Sequence, residues 1–193
     1  MQNGEHMTQE QILFLFKRAI EIFYEHDRKL VEIAAHERAC VARIAIYLQQ
    51  LLNNAPDAKN LYVDCEYGSM TTDTGEEFKK YMDANGAYGG NDGRYGRFFP
   101  DLIIHERGTQ QSNLLVAEFK GYWHTGTWGQ DQTKLEHLTK GAPSSNLKPY
   151  FYYQRGVFVA LGRQQAYFIE FANGRQVSPT STIDELHNQK DLL

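Results

Sequence analysis

The chain has 193 residues, is 41% hydrophobic and 23% charged, and carries a net charge of −4. That length suits one domain, or a domain with a helical extension, and can bury a sizeable core. No apolar run approaches the length of a membrane span, and no basic segment leads into an apolar one near the start, so neither a membrane protein nor a secreted one is expected.

Two cysteines, Cys40 and Cys65, fit neither a disulfide framework nor a zinc site, which makes a reducing cytoplasm the natural setting. The acidic balance argues against a protein that coats nucleic acid, but the charge is unevenly spread. Residues 1–89 hold 9 Lys/Arg against 14 Asp/Glu, whereas residues 90–175 hold 10 against 7. The second half is therefore locally basic, as phosphate binding requires.

Residues 8–35 read as a helix, with Ile12, Leu13, Phe16, Ile20, Phe23, Leu30 and Ile33 at helical spacings and Thr8 with Gln11 as a capping box. A second helical pattern runs to Leu52-Asn53-Asn54, before Pro56. One unbroken helix of that combined length is unusual in a compact domain. The expectation is a kink near Ala34-Ala35 or a projecting arm, and an arm would suit a homodimer. Residues 1–36 are accordingly taken as an N-terminal helical extension and 37–193 as the main domain. Glu37 falls on the apolar stripe Ile33, Glu37, Val41, Ile44, Leu48, where a carboxylate is costly unless paired or metal-bound. Read from the residues alone, it reaches solvent, or an arginine such as Arg38 or Arg43, or a metal.

Leu61 to Tyr67 alternates as a strand, with Asp64 and Glu66 either facing water or meeting a metal. Phe78 to Met82 reads as a short helical turn. Asn85 to Arg97 is a glycine-rich loop in which Tyr88, Arg94, Tyr95 and Arg97 either stack on bases and grip phosphates or belong to an excursion beside the site. It lacks the G-K-[ST] ending of a phosphate-cradling loop, so a nucleotide triphosphatase is not supported.

Phe98 to Trp123 reads as two strands joined by a polar loop, Asp101 to Ile104 after Pro100 and then Leu114 to Phe119. Alternation puts Leu114, Val116, Glu118 and Lys120 on one face. Antiparallel pairing would bring Asp101 beside Glu118. Two carboxylates that close repel unless a cation lies between them, and Mg²⁺ takes one or two carboxylates with water and phosphate oxygens completing its shell. A hairpin with a rim salt bridge accounts for the same residues without a metal.

After Lys120, GYWHTGTWGQ is too rich in glycine and aromatics for helix; Trp123, His124 and Trp128 either touch substrate or cap the core. Asp131, Lys134, Leu135 and Leu138 then lie on or near one helical face, with Lys134 meeting a phosphate or bridging to Asp131 or Glu136. Tyr150 to Tyr153, Val157 to Leu161 and Ala166 to Phe171 are strand-like, Asn173-Gly174 is a turn signal, and Thr182 to Leu186 a short helix. The order of elements gives an α/β sandwich around a mixed sheet.

Pro100-Asp101 followed by Glu118-Phe119-Lys120 resembles the PD-(D/E)XK nuclease superfamily, in a small stand-alone form. The resemblance runs from about Glu37 to Leu161 and includes a glutamate from the helix before the sheet, an intervening strand, and a later helix with a D-x-x-K-L pattern. It implies a restriction-endonuclease-like three-layer core, a mixed central sheet flanked by helices. It also implies a Mg²⁺-dependent nuclease acting on DNA, with Mn²⁺ able to substitute. Asp101, Glu118 and Glu37 would be the metal ligands and Lys120 the catalytic amine, with Arg94, Arg97 and Lys134 toward substrate. The other expectation is an inactive nuclease-fold protein that binds nucleic acid or serves assembly.

Overall fold

The computed structural model describes residues 7–66, 69–71, 77–79, 99–109, 112–124, 128–140 and 152–177. Helix α1, Gln9–His26, begins at the Thr8–Gln11 capping box, whose two reciprocal hydrogen bonds are both present. It buries Ile12, Phe16, Ile20 and Phe23 of the expected stripe together with Ala19, while Leu13 is only partly buried. The chain then breaks at Asp27, makes the single turn α2, Lys29–Glu32, and bends again at Ala34, whose φ is 50°. Helix α3, Glu37–Asn53, follows with Cys40, Val41, Ile44, Leu48 and Leu52 buried. Of the kink and the projecting arm, the molecule has the kink. Phe16 of α1 packs on Phe119 at 6.1 Å between ring centroids, and α1 and α3 share one apolar cluster with the sheet. Ile33, which the periodicity put on the buried stripe, is exposed because the helix has already ended there.

Six strands form one mixed sheet in the order β1 (Leu61–Asp64), β4 (Leu102–Glu106), β5 (Asn113–Gly121), β6 (Arg155–Leu161), β7 (Ala166–Ala172) and β8 (Arg175–Gln176). Neighbours are antiparallel except β5 and β6, which run parallel. Helix α4, Trp128–Thr139, lies between those two in the chain and supplies the crossover that a parallel pair needs. Leu102, Ile104, Leu115, Ala117, Phe119, Val157 and Val159 point toward α1 and α3. Ile103, Val116, Phe158, Ala160, Ile169 and Phe171 pack with Leu135 and Leu138 of α4. The protein is thus α/β, with helices on both faces of a sheet whose central strands are apolar on each side.

Several details differ from the sequence reading. Of the segment read as a helical turn, Phe78 to Met82, Phe78 and Lys79 belong to β3, Glu77–Lys79, paired antiparallel with β2, Ser69–Thr71, and residues 80–82 lie outside the described residues; strand pairing with a partner several residues away overrides the local helical preference. Trp128 opens a helix despite its glycine-rich surroundings, because its ring packs on Phe158 at 5.6 Å. Strand β1 stops at Asp64, short of Tyr67, and Tyr152 and Tyr153 lie outside any strand. The Asn173-Gly174 turn is present, with φ of 53° and 72°. The outer edge of β1 is closed by Gln49 of α3, which accepts from Val63 N at 2.8 Å and donates to Leu61 O at 3.3 Å. No helix among the described residues is long and apolar enough to cross a membrane.

Phe16→Ala should cost about 3–5 kcal/mol in denaturant unfolding, the usual range for deleting a buried phenyl group. An unchanged midpoint would mean that α1 is an appendage outside the core.

Candidate active site

The register of the central hairpin sets the first two acids. Leu102 pairs with Ala117 and Ile103 with Val116, so the next position out sets Asp101 against Glu118. Asp101 Oδ2 accepts from Phe119 N at 2.7 Å, which ties the carboxylate to the neighbouring strand. Glu118 is 2% exposed, and its Oε1 has no hydrogen-bond partner among the described residues. Burial pushes the Glu118 carboxyl well above its ordinary value; Asp101 and Asp131 push the same way, opposed by Lys134 and Lys120. Burial likewise raises Asp101, against the pull of the Phe119 N–H and Lys120.

Lys120 follows on the same face of β5, also largely buried. Its ammonium lies 3.2 Å from Asp131 Oδ2 and 3.7 Å from Glu37 Oε2. The first contact is an ion pair without the alignment of a hydrogen bond, since Asp131 Oδ2 has no aligned donor. Burial alone would lower the Lys120 pKa, but Asp131 and Glu37 outweigh it and the value is raised. This amine is held charged.

Glu37, the first residue of α3, arrives from the opposite layer. Its Oε1 accepts from Gly121 N at 2.8 Å and lies 3.0 Å from His124 Nδ1. Gly121 is needed there because the Trp123 ring occupies the place a Cβ would take, 2.3 Å away. Of the three readings left open for Glu37, solvent and the arginines are not its partners. It faces the backbone of β5, His124 and Lys120.

The structure therefore brings Glu37, Asp101, Glu118 and Lys120 together at one end of the sheet, around the C-terminal part of β5. Lys134 joins them from α4, turned inward to Asp131 Oδ1 at 2.6 Å and Glu118 Oε2 at 3.9 Å. Arg94 and Arg97 lie outside the described residues, as does the rest of the glycine-rich loop. The Lys134–Asp131 bridge is present as one of the expected alternatives, but Asp131 is 3% exposed and the pair faces inward instead of lying on the surface. His124 lies beside Glu37, 87 positions earlier, a contact that nothing in the sequence near it signals.

Asp64 and Glu66 are both held by cationic side chains. Asp64 is paired with buried His105 at 2.8 Å and with Arg107 at 2.9 Å, and Glu66 with Arg38. Burial would raise the Asp64 carboxyl, but hydrogen bonds from Arg107 and His105 hold it below the ordinary range.

Among the described residues, no three His, Cys, Asp or Glu side chains are arranged as a ready metal cage. Two carboxylates fit Mg²⁺ without one, because that ion keeps most of its waters. The unpartnered Glu118 Oε1 and the raised Asp101–Glu118 pair are what such an ion would relieve. No family model matches the chain, and neither a curated protein nor a solved structure matches it significantly.

A carboxyl raised on folding stabilises the native state fully below its unfolded pKa, about 4.3 for Glu, and that contribution is lost as pH rises to the folded value. Glu118→Gln in metal-free buffer should therefore raise the unfolding midpoint at pH 7, with the gain shrinking as pH falls below the raised folded value and gone by about pH 4. A variant less stable than its parent at pH 7 would contradict the strained carboxylate.

Proposed function

We propose that the chain is a Mg²⁺-dependent nuclease that hydrolyses phosphodiester bonds, with DNA as its substrate and a restriction-endonuclease-like core as its scaffold. The observation that carries this reading is the convergence of half-buried Asp101 and buried Glu118 with the charged amine of Lys120 at one end of the sheet. The order of elements supports it. Strand β1 falls between the helix of Glu37 and the Pro100-Asp101 strand, and α4 follows Glu118-Phe119-Lys120 carrying Asp131, Lys134 and Leu135.

In this reading Asp101 and Glu118 hold the ion, with Glu37 at its border. When bound, the ion supplies positive charge at the scissile phosphate and the acidity that lets water act as a nucleophile at neutral pH. Lys120, kept protonated by Asp131 and Glu37, does not accept a proton. It positions the attacking water and donates charge to the phosphoryl oxygens as they become more negative. The buried setting strengthens that contribution, because an ammonium shielded from solvent loses less of its field to water.

A second reading, an inactive nuclease-fold module that binds nucleic acid, draws on the inward turn of Lys134 toward Glu118, where an ammonium already offsets part of the charge. Cleavage decides between them. Across single-stranded, duplex and branched DNA and RNA with Mg²⁺ or Mn²⁺ titrated, Glu118→Ala and Lys120→Ala should each reduce nicking by about 100-fold or more, with the fold retained by circular dichroism. Undiminished cleavage by both variants would reject the assignment, and binding without any cleavage would favour the module.

A further inference from the structure

We propose that Asp131 is a positioning residue of this site, its carboxylate joining Lys120 of the sheet to Lys134 of α4 and fixing where their two charges face a substrate phosphate. The proposal rests on the nuclease reading above and adds to it a group outside the Pro-Asp and Glu-x-Lys residues.

Geometry carries it. Asp131 sits in the first turn of α4, and its two oxygens serve different amines, Oδ1 taking Lys134 at 2.6 Å and Oδ2 taking Lys120 at 3.2 Å. A surface pair three residues apart on a helix contributes little. This one is not on the surface, since the Asp131 side chain is 4% exposed and those of the two lysines 22% and 17%. An apolar residue beside Leu135 and Leu138 would pack there, but it would withdraw the carboxylate that two largely buried ammoniums face, so this acid is what holds both amines in place.

The arrangement also controls where Lys134 goes. Its ammonium is 2.6 Å from Asp131 but 3.9 Å from Glu118. Among the described residues, the other carboxylate beside Lys134 is Glu118, and the other beside Lys120 is Glu37 at 3.7 Å. Without the Asp131 charge, both lysines would neutralise the acids that the nuclease reading assigns to a cation. Asp131 keeps the ammoniums beside the carboxylates without letting them close on Glu118.

The test uses the full chain with Asp131→Asn and Asp131→Glu, and reads two quantities. Steady-state cleavage should show kcat falling by about 10–100-fold in Asp131→Asn, the usual effect of removing a group that orients others in a site. KM should stay within about twofold, and Asp131→Glu should recover part of kcat. Independently of activity, the acylation rates of Lys120 and Lys134 by an amine-directed reagent should change by about twofold or more in Asp131→Asn, read by peptide mass spectrometry, while those of Lys17 and Lys59 do not. An unchanged kcat, or unchanged acylation of both lysines, overturns the proposal. Absence of cleavage by the parent chain overturns the nuclease reading, and this role with it, and is told apart by leaving the acylation difference in place.

Discussion

Four carboxylates, Glu37, Asp101, Glu118 and Asp131, share one end of the sheet with two ammoniums, Lys120 and Lys134. That surplus of negative charge is the constraint from which the chemistry follows. Burial first, and the neighbouring acids after it, make Asp101 and Glu118 hold their protons more tightly. Glu37 answers the surplus with a backbone N–H and His124, and Asp131 with both amines. Glu118 Oε1 is left with no donor among the described residues. A protein selected for stability alone would replace such a group with an apolar one.

The fold delivers this cluster from three layers. Strands β4 and β5 bring Asp101 and Glu118 together through an antiparallel register. The parallel β5–β6 pair requires a crossover, and that crossover is α4, which carries Asp131 and Lys134 over the face opposite α3. Helix α3 starts at Glu37, so its N-terminal end meets the last residues of β5. Each acid thus sits at an element end backed by packed apolar side chains, Leu135 and Leu138 on one side and Val41 and Ile44 on the other. Rigid neighbours of this kind let a site hold charges close together.

Much of this was legible where side-chain period and local chemistry agree. The Thr8–Gln11 capping box, most of the stripe of α1, the central hairpin and the Asn173-Gly174 turn all rest on interactions within a few residues, and all are found as read. The adjacency of Asp101 and Glu118 followed from strand alternation plus an assumed pairing. What was missed depends on distant partners. The strand at Phe78 is set by Ser69–Thr71, the inward turn of Asp131 by Lys120 on another element, and the His124 contact by Glu37 across the sheet. Ile33 shows the converse error, a correct period continued past the point where the helix stops.

The central claim is that Asp101 and Glu118 form a site for a divalent cation. Titration calorimetry of Mg²⁺ and Mn²⁺ into metal-free protein, repeated on Glu118→Gln, tests it most directly. The account predicts saturable binding to the parent chain, with proton release as the raised carboxyls ionise, and its loss in the variant. Equal heats from the two proteins, or no binding to either, would contradict it.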